Sequence, residues 1–237
     1  MRTSLHPAPH ADRAPGGLAV HRLVPRPADS FRILFVCTGN VCRSPIAERL
    51  TRHELDARLD ARAAGRILVE SAGTWGHEGA PMEAHAATVL DEYGVDSGNF
   101  AGRELLDQHV VLADLVLTAT LDHRAQVISM GHAAGLRTFT LKEFTRLVRL
   151  VDPATLPAVG QGAEVAERGR ALVRAAAALR GRRPADPTAD EVDDPYGAPI
   201  GMFRNCGEEI FDALDPVVTA LTGVPGPRPQ DMGQGRF

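Results

Sequence analysis

Between residues 31 and 150 short apolar runs alternate with stretches of helical spacing, and this alternation restricts the architecture more than any other feature of the chain. Phe31–Val36, a β-branched and aromatic run, reads as a buried strand. Ile67–Glu70, Ala113–Thr118 and Arg137–Thr140 read as three more. A helix is predicted from Ser44-Pro45 onward, where Ile46, Ala47, Leu50, His53, Glu54 and Leu55 recur at helical spacing and Pro45 suits a first turn. Further helices are predicted over Pro81–Tyr93, with Gly94 as its stop, and over Arg103–His109, Leu121–Met130 and Leu141–Leu150. Strands and helices in alternation pack as a parallel sheet with helices on both faces. The expected fold class is therefore α/β: three layers, α/β/α, around a central four-stranded parallel sheet, closed by a last helix near Met202–Leu221.

The remaining segments are read by composition. Residues 1–30 are rich in Pro, Ala, His and Arg, lack periodicity and lack the apolar core of a signal peptide, so a disordered extension is expected. Residues 31–221 form one domain, with an insertion at about 151–190, and residues 222–237 are a Gly/Pro-rich flexible tail. The insertion carries a helical stretch, Val165–Leu179, but too little apolar content for a core of its own. Its arginines, Arg168, Arg170, Arg174, Arg180, Arg182 and Arg183, read as a solvated helix face and its exit. A net charge of −4 gives no reason to expect nucleic acid as a partner. No run of about 18 apolar residues is present, so no membrane insertion is expected. Three cysteines are too few for a disulfide scaffold and point to a reducing compartment, the cytoplasm.

Two of those cysteines stand in one loop. The first strand runs into CTGNVCRSP, residues 37–45, and three chemistries compete for it. A metal site would need a second Cys or His pair at ligand spacing; His77 and His85, or His123 and His132, do not supply one. A nucleotide loop would need G-x-x-x-x-G-K-[ST], and the lysine and second glycine are missing. A nucleophile in an anion cradle accounts for each residue. A strand-to-helix loop turns backbone N–H groups inward, and the helix that follows adds the positive end of its dipole. Such surroundings favour the thiolate of Cys37, which is the nucleophilic form. Arg43, six residues on, can close over an oxyanion with two parallel hydrogen bonds. Gly39 permits unusual backbone angles, and Ser44 can donate a hydrogen bond to the sulfur. Cys42 is either a reversible partner for an oxidised Cys37 or a small buried loop residue.

The full string VCTGNVCRSPIAE resembles the signature of the low-molecular-weight protein-tyrosine phosphatases. The likeness continues as SAGTW at 71–75, ADLVLTAT at 113–120, FTLKEF at 139–144 and DDPYG at 193–197, and runs from about Phe31 to Leu221 apart from the insertion. It implies a phosphate-binding loop after the first strand, formed by Thr38, Gly39, Asn40, Val41, Cys42 and Ser44, and a cysteinyl-phosphate mechanism on Cys37 and Arg43. Such a mechanism needs an acid for the leaving oxygen. Four Asp-Pro pairs compete, at Asp152, Asp186, Asp194 and Asp215. Only Asp194-Pro195-Tyr196-Gly197 has the aromatic of the family's acid loop, so the resemblance places the acid at Asp194, with Asp193 as the substitute. It also implies that Asn40 and Ser71 brace the loop, that Asn99 stands where many members have a histidine, and that Trp75 and Tyr196 wall the pocket.

The expected function is hydrolysis of phosphotyrosine in a phosphorylated protein, without metal or other cofactor, by a monomer. Three alternatives are weighed. Protein-arginine phosphatases of the same family carry threonine where this chain has Val41, which lacks the hydroxyl a guanidinium would use. Arsenate reductases need two further cysteines in a mobile segment, and only Cys206 lies downstream. A non-catalytic phosphate-binding module has no need of an intact Cys37, Arg43 and Asp194.

Overall fold

A computed structural model describes residues 29–160, 163–181 and 187–226. The expectations for residues 1–28, for Arg182, Arg183 and Asp186, and for residues 227–237 of the tail lie outside the described residues. The chain runs β1 (Phe31–Cys37), α1 (Arg43–Arg58), α2 (Ala61–Ala64), β2 (Ile67–Gly73), α3 (Ala84–Glu92), α4 (Asp107–Leu112), β3 (Leu115–Thr118), α5 (Leu121–Met130), β4 (Thr138–Thr140), α6 (Leu141–Val148), α7 (Ala163–Leu179) and α8 (Ile200–Thr222). Short stretches of 3-10 helix precede β4, follow α6 and precede the 191–199 loop.

The four strands form one parallel sheet in the order β2-β1-β3-β4. The α/β class, the four parallel strands and the loop after the first strand are as the sequence predicts. β1 is buried along its whole length, as a central strand covered on both faces must be. Alternate residues serve opposite faces. Phe31, Ile33 and Phe35 pack with α1, α3, α6, α7 and α8, while Leu34 and Val36 pack with Val110, Val127 and Ala134 of the other layer. The chain leaves β1 toward β2 on one side and returns to β3 on the other. The carboxyl ends of β1 and β3 therefore border the crevice where open α/β sheets place ligands.

Three expectations change. The helix predicted at Pro81–Tyr93 begins only at Ala84, because the Glu83 carboxylate accepts from the amides of His85 and Ala86 and fixes the start there. The helix predicted at Arg103–His109 lies at Asp107–Leu112. Arg103–Leu105 is instead extended along Gly73, whose amide donates to Arg103 O while Leu105 N donates back to Gly73 O.

The third change concerns the arginines of 151–190. α7 presses Val165, Ala166, Leu172, Val173 and Ala176 into the main core, against α6, α8 and β1. Arg168 is buried and donates to the carbonyls of Ala220 (2.7 Å) and Pro157 (2.5 Å), so it ties the last turn of α8 to the loop before α7 rather than facing water. Arg170 donates to Ser30 O at 2.9 Å. Arg180 lies over the Phe139 ring at 4.0 Å and pairs with Glu143. Arg174 alone among these described arginines is exposed.

Candidate active site

β1 carries Cys37 to the edge of the crevice, and residues 38–42 curl beneath the first turn of α1. Five carbonyls of residues 37–42 are paired, four with the segment after β2 outside the curl and the fifth within the first turn of α1. Those of Cys37, Thr38 and Gly39 accept from the amides of Thr74, Trp75 and His77, that of Val41 from Glu83 N, and that of Cys42 from Ile46 N. In a trans peptide the N–H points opposite to the preceding carbonyl, so the amides of the loop are turned toward the cavity. The segment after β2 can come this close because residue 73 is glycine: a Cβ there would stand 2.4 Å from Thr38 O. Asn40 adopts the left-handed region, φ 54°, at the tightest point of the curl.

A chain of hydrogen bonds leads to Cys37. The main-chain amide of Arg103 donates to Asn40 Oδ1 at 2.9 Å, which settles the orientation of the Asn40 amide. Asn40 Nδ2 then donates to Ser44 Oγ (2.9 Å) and to Ser71 Oγ (2.8 Å). Since Nδ2 has no acceptor capacity, the Ser44 hydroxyl proton is left for Cys37 Sγ, 3.0 Å away. The Ser71 proton goes to Glu48. Burial raises the Glu48 carboxyl above its ordinary value. Asn99 takes no part: it is exposed, at φ 53°, while the Arg103 amide and Glu48 occupy the network.

The arginine comes in from α1. Arg43 is buried; Nη1 donates to Val192 O at 3.2 Å, and Nη2 to Asp194 Oδ2 at 2.6 Å and to Thr38 Oγ1 at 3.4 Å. Its Nε is a buried donor with no partner. The strap that delivers Asp194 is pinned along its length. Asp190 pairs with Arg146, Glu191 accepts from Leu121 N and Val192 N donates to Ala119 O. Asp194 Oδ1 accepts from Tyr196 N, and Gly197 follows with a positive φ.

Cys37, Thr38, Gly39, Val41, Cys42, Arg43, His77, Asp194 and Tyr196 line one cavity of about 180 Å³. Asn40 and Ser44 support it from beneath. Trp75 is not among the lining residues: its ring is 78% exposed, and the imidazole of His77 stands there instead. Asp193 faces the opposite side of the strap, into a groove between α6 and α8. Asp152 caps its own turn and Asp215 pairs with Arg58, so neither reaches the cavity.

The structure holds Cys37, Cys42 and Cys206 as free thiols. Burial, with Cys37 beside it, pushes the Cys42 thiol well up, and burial takes Cys206 to about 12, so both are held in the protonated form. His123 is a site residue that sequence reasoning missed. It is buried, with Nε2 2.9 Å from Thr38 Oγ1 and Nδ1 2.7 Å from Thr120 Oγ1. Burial first, and then the Arg43 guanidinium, hold its pKa down at about 4. The signal in the sequence was Thr120-x-x-His123 after an apolar strand, a helix start that places a histidine at the sheet's carboxyl edge. His77 had no comparable signal, because its place depends on how the segment after β2 folds over Gly39.

Known proteins resemble the chain as a whole. The family model described as low molecular weight phosphotyrosine protein phosphatase matches residues 32–156. The protein-arginine-phosphatase of Geobacillus stearothermophilus is 27% identical over 191 residues, 81% of this chain and 96% of that one. The low molecular weight protein-tyrosine-phosphatase Etp of Escherichia coli K12 is 36% identical over 121 residues, 51% of this chain and 76% of its own. Among solved structures, a low molecular weight protein tyrosine phosphatase from T. tengcongensis superposes with a TM-score of 0.56 at 28% identity, covering 80% of this chain and 98% of that one.

Proposed function

The chain belongs to the low molecular weight phosphotyrosine protein phosphatase family, and from that premise we propose that it hydrolyses phosphotyrosine in proteins through a phosphorylated Cys37, without a metal. One observation carries the reading: Cys37 and Arg43, from one loop, and Asp194, from a distant part of the sequence, converge on a single cavity. Cys37 Sγ attacks phosphorus in line with the leaving oxygen, forming the S–P bond as the P–O bond to the phenol breaks. Asp194 gives its proton to that oxygen. It then takes a proton from the water that cleaves the S–P bond, releasing phosphate and restoring the thiolate. The loop amides, together with the unpartnered Nε and the two Nη groups of Arg43, hold the equatorial oxygens, so positioning and electrostatics supply most of the rate. Ser44 stabilises the sulfur whenever it carries charge, before attack and after release.

For the substrate, Val41 and Tyr196 on the cavity wall favour an aromatic leaving group. Asp194 is the sole carboxylate among the lining residues and serves as the acid, so no second carboxylate of the lining pairs with a guanidinium. A second reading, hydrolysis of phosphoarginine by the same steps with nitrogen as the leaving atom, draws on the 81% of the chain that aligns with an arginine phosphatase. Turnover of matched phosphotyrosine and phosphoarginine peptides, with Cys37→Ser as control, decides between them. Hydrolysis of neither peptide, or equal hydrolysis by Cys37→Ser, would refute both. The expected setting is the cytoplasm and the expected state a monomer.

A further inference from the structure

We propose that His123 is a positioning residue for Arg43, acting through the hydroxyl of Thr38. The proposal rests on the phosphatase reading above and on the geometry of three side chains from different parts of the fold. Thr38 lies in the loop after β1, Arg43 at the start of α1, and His123 in the first turn of α5, behind the carboxyl end of β3.

The proposed relay gives each hydrogen bond a direction. A guanidinium nitrogen only donates, so Thr38 Oγ1 accepts from Arg43 Nη2 at 3.4 Å. The hydroxyl has one proton to give, and the acceptor within reach is His123 Nε2 at 2.9 Å. In this relay His123 is unprotonated at Nε2 and carries its proton on Nδ1, which donates to Thr120 Oγ1 at 2.7 Å, one of the two tautomers open to a neutral ring. Thr120 in turn caps α5, accepting from the amide of His123 itself. The relay thus ends on the N-cap of a helix, a rigid element, and not on a loop.

A cation could not do this work. With a proton on both ring nitrogens, His123 would direct an N–H at Thr38 Oγ1, reverse the Thr38 hydroxyl and set a second positive charge behind the guanidinium. Its position in the first turn of α5, near the positive end of the helix dipole, adds to the penalty. The charged groups that face the ring are Arg43, which opposes protonation, and Asp194, Asp122 and Glu191, which favour it. Burial and Arg43 prevail, and the ring stays neutral across the range where a phosphatase of this kind would work.

The consequence is a guanidinium held on two edges by groups that remain in place when substrate binds. Nη1 is held by the carbonyl of Val192, itself tied to β3 through Ala119, and Nη2 by Thr38. Asp194, the third partner, can then turn to the leaving group without releasing the arginine's plane.

The test is a double-mutant cycle on the full chain, with phosphotyrosine peptide as substrate and vanadate as the oxyanion probe. His123→Ala and Thr38→Val should each lower kcat/KM roughly tenfold to a hundredfold, the scale of one hydrogen bond to a charged group. Each should also weaken vanadate inhibition. The double variant should lose no more than the worse single one, because both remove the same relay. His123→Gln, whose amide oxygen can accept the Thr38 proton, should recover most of the loss. A merely structural histidine would not reproduce the cycle or the rescue. His123→Ala activity within twofold of wild type, or losses that multiply, would overturn the proposal. Should His123→Ala fail to fold, Thr38→Val alone and combined with His123→Gln completes the comparison, and multiplying losses there overturn it equally. A wild-type protein that hydrolyses neither peptide refutes the phosphatase reading instead, so the two failures are distinct.

Discussion

Arg43 Nη2 donates to Asp194 Oδ2 at 2.6 Å, so the cation assigned to the phosphate and the acid assigned to the leaving group are direct partners. The side chain of Arg43 is 6% exposed and that of Asp194 49%, so the buried arginine is the fixed member and the aspartate the movable one. Catalysis requires this pair to part. In the proposed reaction Asp194 swings to the leaving atom while Arg43, held in place, offers the donor this frees to a phosphate oxygen.

Opposite effects on turnover and on anion binding follow from Asp194→Asn. Loss of the acid should lower kcat by about 10²–10⁴-fold, the usual worth of general acid–base catalysis. Loss of a negative charge beside Arg43 should tighten inhibition by phosphate or vanadate. Steady-state kinetics with an inhibition series reads both. Weaker vanadate inhibition in the variant would contradict the pairing argument.

Asn40 joins three hydrogen bonds to a left-handed backbone position. Asn40→Ala should lower unfolding free energy by about 1–3 kcal/mol, the cost of leaving buried partners unsatisfied, and should reduce kcat because Ser44 loses its orientation. Asn40→Gly relieves the backbone without restoring the hydrogen bonds. Its turnover should therefore remain low, and full recovery would mean that the backbone angle alone matters.

Gly169 stands in α7 with Phe31 packed against it; a Cβ there would lie 2.8 Å from Phe31 Cγ. In an exposed helix Gly→Ala stabilises by about 1 kcal/mol. Here the fully buried Phe31 ring cannot yield, so Gly169→Ala should destabilise by about 1–3 kcal/mol, the scale of overpacking. Chemical denaturation measures it, and a gain in stability would show that α7 does not pack on β1.

Acid should weaken the fold through His123. An unfolded chain takes up the imidazole proton near the ordinary 6.5, whereas the folded protein, with the ring buried beside Arg43, does so only near 4. The stability this group contributes is complete above 6.5 and is lost as pH falls from there toward about 4. His109, also lowered by burial, acts in the same direction, while Glu48, raised by burial, acts in the opposite one. His123→Gln isolates the effect: the midpoint of thermal unfolding of the wild type should fall more steeply between pH 6.5 and 4 than that of the variant. Parallel slopes would contradict it.

The sequence was most legible where local chemistry decides. Leu121–Met130 lies where its pattern puts it, between the Thr120 cap and Gly131. The strand that ends at Cys37 and the loop that leads to Arg43 are contiguous, so their relationship could be read from spacing. The start of α3 was misread because Pro81 suits a first turn, yet the Glu83 carboxylate caps the helix two residues later. The arginines of α7 were misread because their acceptors, Pro157 O, Ala220 O and Ser30 O, lie at distant points of the chain and carry no sequence signature. The same limit hid His77, whose place depends on which segment lies over Gly39, while Thr120-x-x-His123 marked a helix start without showing that it faces Thr38.

The central claim is a covalent phosphoryl group on Cys37, and the most direct measurement is to quench single turnovers of the Asp194→Asn variant in acid and map the adduct by mass spectrometry. The expected result is one phosphoryl group per chain on the Cys37 peptide, appearing with a stoichiometric burst of dephosphorylated product and absent from Cys37→Ser. Product formation with no adduct on Cys37, or turnover that survives Cys37→Ser, would contradict the account.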